Sequence, residues 1–407
     1  MKTRALVVCA VMLFMIGAQA KPRPVGRSTT IVIGGLFSLT GDGATLGTAS
    51  AAALDLAARD INQELDDLHL PYHVETIVED SKLTPTVAAT KLPLLVQHGA
   101  QIVIGPQSSA EAAAVVGYAN AHDVILVSQG STASSLAIAG DNLFRLAPND
   151  KLEGAAMAAL MRADGIETLL PFWRADAGNG GLHDSTKSSF QTAGGAVLTG
   201  VSYDPATTDF TASVNAAGAA LRAAKAAKPS AKIAVYLASF EEAVAIFNLA
   251  RLDTDLSGVR WYGGDGVTQS QALLANPTAG QFAASVSFTA PNVGLDGSTK
   301  DRWQPISDQI QARVGFAPDA YSLSVYDAAW VGALSAIEVQ SNDSALRASF
   351  VRNVQRYWGL TGPTALDAAG DRKFANFDFW TVKSVAGQLQ WVRTAQYSGG
   401  NIAFSSP

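Results

Sequence analysis

Two short polar loops carry side chains that could contact a ligand. The stretch IVIGPQSSAEAAAVVGYA is typical of a strand, a turn and a helix, with Ser108 and Ser109 at the turn. VILVSQGSTASSL repeats this arrangement, with Gly130, Ser131 and Thr132 after the strand. A helix N-terminus offers free amides and partial positive charge, so such loops could hold a carboxylate. The same residues could be plain helix N-caps, and the sequence leaves both interpretations open.

Three further candidates follow predicted strands in the second half of the chain. Asp265 in VRWYGGDGVTQ could receive an ammonium group, or it could be an ordinary turn aspartate. Phe240 in YLASFEEA could form a pocket wall or belong to the core. Trp173 in LLPFWRADAG could face the same cleft or have an ordinary surface role.

The glycines argue against a nucleotide cofactor. Gly41, Gly43 and Gly47 give G-x-G-x-x-x-G, one residue longer than the dinucleotide fingerprint. There is no G-x-x-x-x-G-K-[ST] phosphate loop either. We therefore expect no cofactor, and we expect the loop at 40–47 to border a site of another kind.

Hydrolytic and metal chemistry lack their usual patterns. The sequence has no G-x-S-x-G elbow, and the serines in GPQSSAE and SQGSTASS have no adjacent histidine. His69 and His73 are separated by Pro71, so they do not share a regular helix face. We expect neither catalytic residues nor a metal site. A secreted hydrolase, whose nucleophile and base would lie far apart in the sequence, remains a further hypothesis.

The first twenty residues predict export. Lys2 and Arg4 precede an apolar stretch that ends in AQA, the pattern of a signal peptide cleaved after Ala20. Residues 21–29 are expected to form a flexible leader, and the mature chain to be periplasmic. Cys9 is the sole cysteine, so the mature chain has no disulfide and no thiol ligand. It keeps 27 basic against 35 acidic residues, a formal charge of −8, which disfavours binding to nucleic acid.

The hydrophobic pattern predicts an α/β fold. Continuous Val/Ile/Leu runs such as IVIG and KIAVYLA are typical of parallel strands buried on both faces. Helical patterns alternate with them, including those near 46–65, 86–98, 109–121 and 300–314. Leu54, Ala57, Ile61 and Leu65 fall on one face of the first. The pattern restarts near residue 150, and the C-terminal stretch is expected to be a small β-rich tail.

These pieces, in this order, resemble the substrate-binding proteins of branched-chain amino-acid ABC transporters. That family comprises the leucine/isoleucine/valine-binding proteins with the type I periplasmic binding fold. The resemblance covers nearly the whole mature chain. Its most specific stretches are IVIGGLFSLTGDGATLGTASAAALDLAARDIN, GAQIVIGPQSSAEAAAVVGYA, YGGDGV, YSLSVYDAAWVGAL and LTGPTALDAAGDR.

The resemblance implies two doubly wound parallel-sheet lobes joined by three crossovers, with the ligand between them. Lobe 1 would comprise residues 30–147 and 292–358. Lobe 2 would comprise residues 148–291 and 359–407. The crossovers would lie near Ala147–Asn149, Ala290–Val293 and Tyr357–Thr361.

Site residues follow by position from the same resemblance. Ser109 and the Gly130–Thr132 segment would hold the ligand's carboxylate, and Asp265 its ammonium group. Phe240 would line the second lobe. Leu46 stands where the family often has an aromatic residue, and Gly178 where it usually has a tyrosine. Trp173 or Tyr262 could supply the missing apolar wall.

The resemblance further implies a monomeric, non-enzymatic protein that captures an amino acid or related carboxylate. An ABC permease would then receive the ligand. The alternative is a ligand sensor on the same fold that reports to a receptor or regulator.

Overall fold

Parallel β-sheets form the centres of two lobes. The computed structural model describes residues 29–339 and 344–405. The first sheet has five strands in the order β2-β1-β3-β4-β5, and all its pairs are parallel. Its strands are β1 Thr29–Phe37, β2 Tyr72–Asp80, β3 Ile102–Ile104, β4 Ile125–Ser128 and β5 Leu143–Arg145.

The second sheet is mixed. Its order is β16-β15-β14-β11-β10-β9-β6-β7, and β8 also pairs with β6. The pairs among β6 to β11 are parallel, whereas β14 to β16 pair in antiparallel fashion. The predicted α/β class is confirmed, and the C-terminal strands extend this sheet. Its strands are β6 Thr168–Arg174, β7 Ala196–Val197, β8 Val201–Tyr203, β9 Ile233–Ala238, β10 Arg260–Gly263, β11 Thr289–Val293, β14 Phe377–Val385, β15 Gln388–Ser398 and β16 Asn401–Phe404. A separate short hairpin pairs β12 Trp358–Gly359 with β13 Gly362–Pro363.

Helices cover both faces of each sheet. On the first sheet, α1, α10, α11 and α12 pack on one face and α2 and α3 on the other. On the second, α4 and α5 cover one face, and α6, α7 and α9 the other. Burial on both faces explains the continuous apolar strands of the sequence. The helices are α1 Ala44–Asp67, α2 Pro85–Gln97, α3 Ser109–Ala121, α4 Asp150–Ala163, α5 Ala177–Thr192, α6 Thr211–Ala227, α7 Ala243–Ala250, α8 Gln271–Ala275, α9 Pro277–Ser285, α10 Lys300–Val314, α11 Ala320–Val339 and α12 Ser344–Val354.

Helix α1 shows how the sequence pattern becomes packing. Leu54, Ala57, Ile61 and Leu65, predicted to share a face, are each at most 3% exposed. Burying a leucine or isoleucine side chain contributes about 1.5–3 kcal/mol, so this face holds α1 on the sheet. Gly47 lets the first turn approach the strand: a Cβ there would lie 1.9 Å from the backbone oxygen of the residue that follows β1.

The chain passes between the lobes three times, and the third passage comes later than predicted. The first lies between β5 and α4, and the second follows β11. Leu366 packs in the core of the first lobe, and Asp371 forms a buried ion pair with Arg145 of β5. Only at Ala375 does the chain pack against the second lobe. The predicted boundary at 358/359 is therefore wrong, because these contacts hold residues up to about 372 on the first lobe.

The predicted signal peptide, residues 1–20, lies outside the described residues. So do residues 21–28 of the predicted leader, whereas Thr29 is the first residue of β1. Within the described part of the chain, no helix is both long and apolar enough to cross a membrane.

Candidate functional site

A cavity of about 60 Å³ lies where the two lobes meet. The first lobe lines it with the loops that follow β1, β3 and β4 and with the start of α11. The second lobe contributes the start of α5 and the loops after β9 and β10. These loops follow the carboxyl ends of parallel strands, where open α/β sheets bind their ligands.

Ser108 and Ser109 begin α3, but their hydroxyl groups have different roles. The Ser108 hydroxyl donates to Glu111 Oε2 at 2.7 Å and accepts from the Glu111 N–H at 3.3 Å. Ser108 is thus a capping-box residue, which fits the plain N-cap interpretation. Both serines also line the cavity.

Ser109 joins the two polar loops of the first lobe. Its Oγ accepts hydrogen bonds from the N–H groups of Thr132 and Ala133, at 3.2 and 3.1 Å. The Ser131 hydroxyl lies 3.1 Å from the same oxygen and donates to it. Gly130 and Thr132 line the cavity with Ser109, whereas Ser131 is not among the lining residues. Ser131 therefore links the two loops without lining the cavity itself.

Arg145 supports this loop from the hinge. Its Nη1 donates to the backbone oxygen of Ala133 at 2.6 Å, and its Nε donates to Asp371 Oδ1 at 2.6 Å. Both side chains are 1% exposed. The position of the loop after β4 therefore depends on a buried ion pair that joins residues 226 positions apart.

Asp265 and Phe240 form the wall of the second lobe. Asp265 follows β10 in a single 3-10 turn, and its Oδ2 accepts a hydrogen bond from the Tyr321 hydroxyl at 2.8 Å. Tyr321 belongs to α11 of the first lobe, so this bond crosses the cleft. Phe240 lines the cavity, and the guanidinium of Arg174 lies 5.6 Å from its ring centroid.

Buried carboxyl groups lie behind Asp265. Glu153 Oε1 accepts the Asp265 N–H at 3.1 Å, and Glu153 itself is 1% exposed. Burial raises the pKa of Glu153 well above its usual range, and the charges of Asp265 and Asp150 raise it further. Burial also raises the pKa of Asp265 to about 6 and that of Asp150 to about 7. Removing carboxylates from water disfavours their charged form, and here they also repel one another.

Hydrogen bonds between the lobes hold the cleft closed. The Thr45 hydroxyl donates to Glu241 Oε1 at 2.6 Å and accepts from the Gln271 N–H at 3.2 Å. The Glu241 N–H donates to the backbone oxygen of Asp42 at 3.2 Å. Asp42 and Thr45 belong to the glycine loop of the first lobe, and their partners belong to the second. The loop at 40–47 therefore borders the cleft.

The apolar wall expected from Trp173 or Tyr262 is absent from the cavity's described lining. Trp173 stacks on His183, with ring centroids 3.9 Å apart and an interplanar angle of 7°. Tyr262 is fully buried and donates to Asp164 Oδ2 at 2.7 Å. Leu46 and Gly178 do line the cavity. Both aromatic rings pack among the buried residues of the second lobe.

Sequence reasoning missed several cavity residues. Gln107 directly precedes Ser108 and Ser109 in the loop after β3, and its position in that loop is the signal that indicates it. Asp319 and Tyr321 begin α11, which follows a helix rather than a strand, so the rule on strand ends could not locate them. Glu241 follows Phe240 and could have been included with it. In the described part of the chain, no group of three His, Cys, Asp or Glu residues is arranged to hold a metal ion.

The chain matches the model of the periplasmic binding protein family over residues 30–388. A relative in Methanocaldococcus jannaschii, an uncharacterised protein, is 24% identical over 395 residues, which cover 90% of this chain and 92% of the relative. Among solved structures, the leucine-binding protein LivK of Thermotoga maritima is similar, with 19% identity and a TM-score of 0.75. That alignment covers 91% of this chain and 99% of LivK.

Two further solved structures were determined with different ligands. The branched-chain amino acid binding protein LivJ of Streptococcus pneumoniae, in complex with isoleucine, has 21% identity and a TM-score of 0.73, covering 90% of this chain and 100% of LivJ. A solute-binding protein of R. palustris, in complex with benzoate, has 18% identity and a TM-score of 0.71, covering 89% and 96%. At these identities the likeness shows a shared fold. The family match spans most of the chain, so the chain belongs to the periplasmic binding protein family, whose members bind solutes and are not enzymes.

Proposed function

We propose that this chain is the extracytoplasmic solute-binding protein of an ABC transporter. It would take a small amino acid or a related carboxylate between its lobes and deliver it to a permease. The observation that carries this proposal is the cavity itself, which has the polar loop of Ser109 on one lobe and Asp265 on the other. Proteins of the same fold have been solved with isoleucine and with benzoate, which supports a small solute as the ligand of this chain.

The mechanism is closure of the two lobes on the ligand. A ligand that touches both lobes favours the closed state, because only contacts made in that state shift the equilibrium. Two direct hydrogen bonds, Thr45 to Glu241 and Tyr321 to Asp265, join the lobes across the cleft. A ligand ammonium group at Asp265 would compete with the Tyr321 hydroxyl or share the carboxylate with it.

Ligand-dependent stabilisation tests the proposal. The mature chain, stripped of bound ligand by unfolding and refolding, is heated with amino acids, aromatic acids, short carboxylates, amides and polyamines. A ligand at about 100 times its Kd adds about 2.7 kcal/mol to the free energy of unfolding, which is a visible rise in Tm. No shift with any compound would contradict a small-solute site in this cavity.

Variants then assign the binding to the cavity. Ser109→Ala and Asp265→Ala should each weaken binding of the identified ligand by about 1–3 kcal/mol, the cost of a lost polar contact. Ser188→Ala and Asp204→Asn, at exposed positions, are the controls and should bind as the unchanged chain does. Unchanged affinity in both cavity variants, measured by calorimetry, would place the site elsewhere.

A further inference from the structure

The described lining of the cavity is acidic. Four carboxylate side chains contribute to it, and no Lys, Arg or His is among the described residues that line it. The four are Asp42, Glu241, Asp265 and Asp319. Asp42 is exposed at the rim, and Glu241 Oε1 accepts hydrogen bonds from both Thr45 and Ser270. Asp265 and Asp319 are half-buried, and each accepts a hydroxyl of its own, from Tyr321 and Ser322, which a charged donor of the ligand would displace or share.

Two arginines that contact residues of this site have carboxylate partners of their own. Arg174, above the Phe240 ring, pairs with Asp176 at 2.8 Å and with Glu242 at 3.5 Å. Arg145, behind the loop after β4, pairs with Asp371. Neither guanidinium therefore offsets the carboxylates that line the cavity.

The cavity lining also contains a buried hydrogen-bond acceptor without a partner among the described residues. Gln107 is 4% exposed and lines the cavity, and within the described chain its Oε1 has no hydrogen-bond partner. Its Nε2 is bound to the backbone oxygen of Gly43, so the free group is an acceptor. This unpaired acceptor in the lining favours a ligand that brings an N–H donor, and an ammonium group has three donors and no acceptor.

The donors expected for a carboxylate are fewer than the sequence indicated. The Ser108 hydroxyl is bound to Glu111, and the Ser131 hydroxyl is bound to Ser109. Ser109 Oγ accepts from Thr132 and Ala133 as well, so only its own hydroxyl hydrogen is left for a ligand. A negatively charged ligand would meet few donors and several carboxylates.

We propose that the ligand is a small amine of net positive charge, rather than a zwitterionic amino acid or a carboxylate. This inference rests on the proposed solute-binding function and changes the expected ligand class from an amino acid or carboxylate to a cationic amine. The ammonium group binds between Asp265 and Asp319, and the oxygen of Gln107 accepts one of its remaining hydrogens.

Calorimetry with compounds of matched shape tests the charge. One set is isocaproate, leucine and leucinamide; the other is hexanoate, norleucine and lysine. Each set gives an anion, a zwitterion and a cation on a similar skeleton at pH 7. We expect the cation to bind at least about tenfold more tightly than the zwitterion in any set that binds, which is about 1.4 kcal/mol.

The outcomes separate this inference from the function on which it rests. Tightest binding by an anion or a zwitterion overturns the positive charge and leaves the solute-binding function standing. Binding by no member of either set overturns both.

Asp319→Asn tests the residue assignment. Asp319 precedes α11 and accepts hydrogen bonds from the N–H and hydroxyl of Ser322, both at 2.7 Å. Asparagine can accept the same N–H bond, so the variant should fold with an unchanged Tm. It should lose about tenfold in affinity for the cation but not for the zwitterion, whereas the exposed Asp301→Asn control should lose neither. Equal loss for both ligands would overturn the role of its charge.

Discussion

Asp150 should make the stability of this protein fall as the pH rises, and replacing it with asparagine should remove that fall. The side chain is fully buried in the first turn of α4. Burial raises its pKa from 3.8 to about 7. Between these two values the folded chain holds a proton that the unfolded chain releases, so unfolding is favoured as the pH rises through that range.

The size of the effect follows from the two pKa values. A rise from 3.8 to about 7 is about three pKa units, and one unit is worth about 1.4 kcal/mol. The unchanged chain should therefore lose about 3 kcal/mol through this group between pH 4 and pH 7, and close to 4 kcal/mol by pH 8. Asparagine has nearly the same shape and does not titrate. Relative to the unchanged chain, Asp150→Asn should therefore raise the free energy of unfolding by about 4 kcal/mol more at pH 8 than at pH 4.

Urea unfolding followed by circular dichroism at several pH values measures this difference. Asp301→Asn is the matched control, because Asp301 also lies in the first turn of a helix, α10, but is exposed. Loss of its interaction with the helix dipole should cost about 0.3–1 kcal/mol, without a comparable trend with pH. A gain for Asp150→Asn that is the same at pH 4 and pH 8 would refute the reasoning.

Two further predictions concern the fold that carries the site. Asp371→Asn should cost about 3–5 kcal/mol of unfolding free energy, because it leaves Arg145 charged, buried and without its partner. Arg352→Gln, which breaks an exposed ion pair, should cost at most about 1 kcal/mol in the same urea titration; equal costs would contradict the role of burial. Gly47→Ala should destabilise by about 3 kcal/mol, since the new Cβ would overlap a backbone oxygen at 1.9 Å. Gly117→Ala, at an exposed helix position with nothing within 4 Å, should instead stabilise the protein by up to about 1 kcal/mol. If both alanine variants raise the Tm, the start of α1 at Gly47 is not tightly packed against the end of β1.

Local patterns were sufficient for the elements of this fold. The predicted helices at 86–98, 109–121 and 300–314 agree with α2, α3 and α10 to within one residue. Burial periodicity and N-cap residues depend on neighbours in the chain, so they can be read without knowing the tertiary structure. The rule that ligands bind beyond the ends of parallel strands also led to Ser109 and Asp265, both of which line the cavity.

Long-range contacts decided what the patterns could not. Asp371 belongs with the first lobe because it pairs with Arg145, and no local signal near residue 371 indicates that partner. Trp173 was predicted at a strand end, as Asp265 was, yet it lies within β6 and stacks on His183.

The sequence by itself determined the α/β class, the positions of several helices and the loops that reach the cleft, because these follow from periodicity and from the order of strands and helices. Only the tertiary structure decided which charges share the cavity. Asp319 and Tyr321 lie at the start of α11, which follows another helix and not a strand. Glu153 lies 112 positions from the Asp265 backbone that it binds. The electrostatic character of a cleft depends on distances between segments remote in sequence, and those distances exist only once the lobes have folded and met.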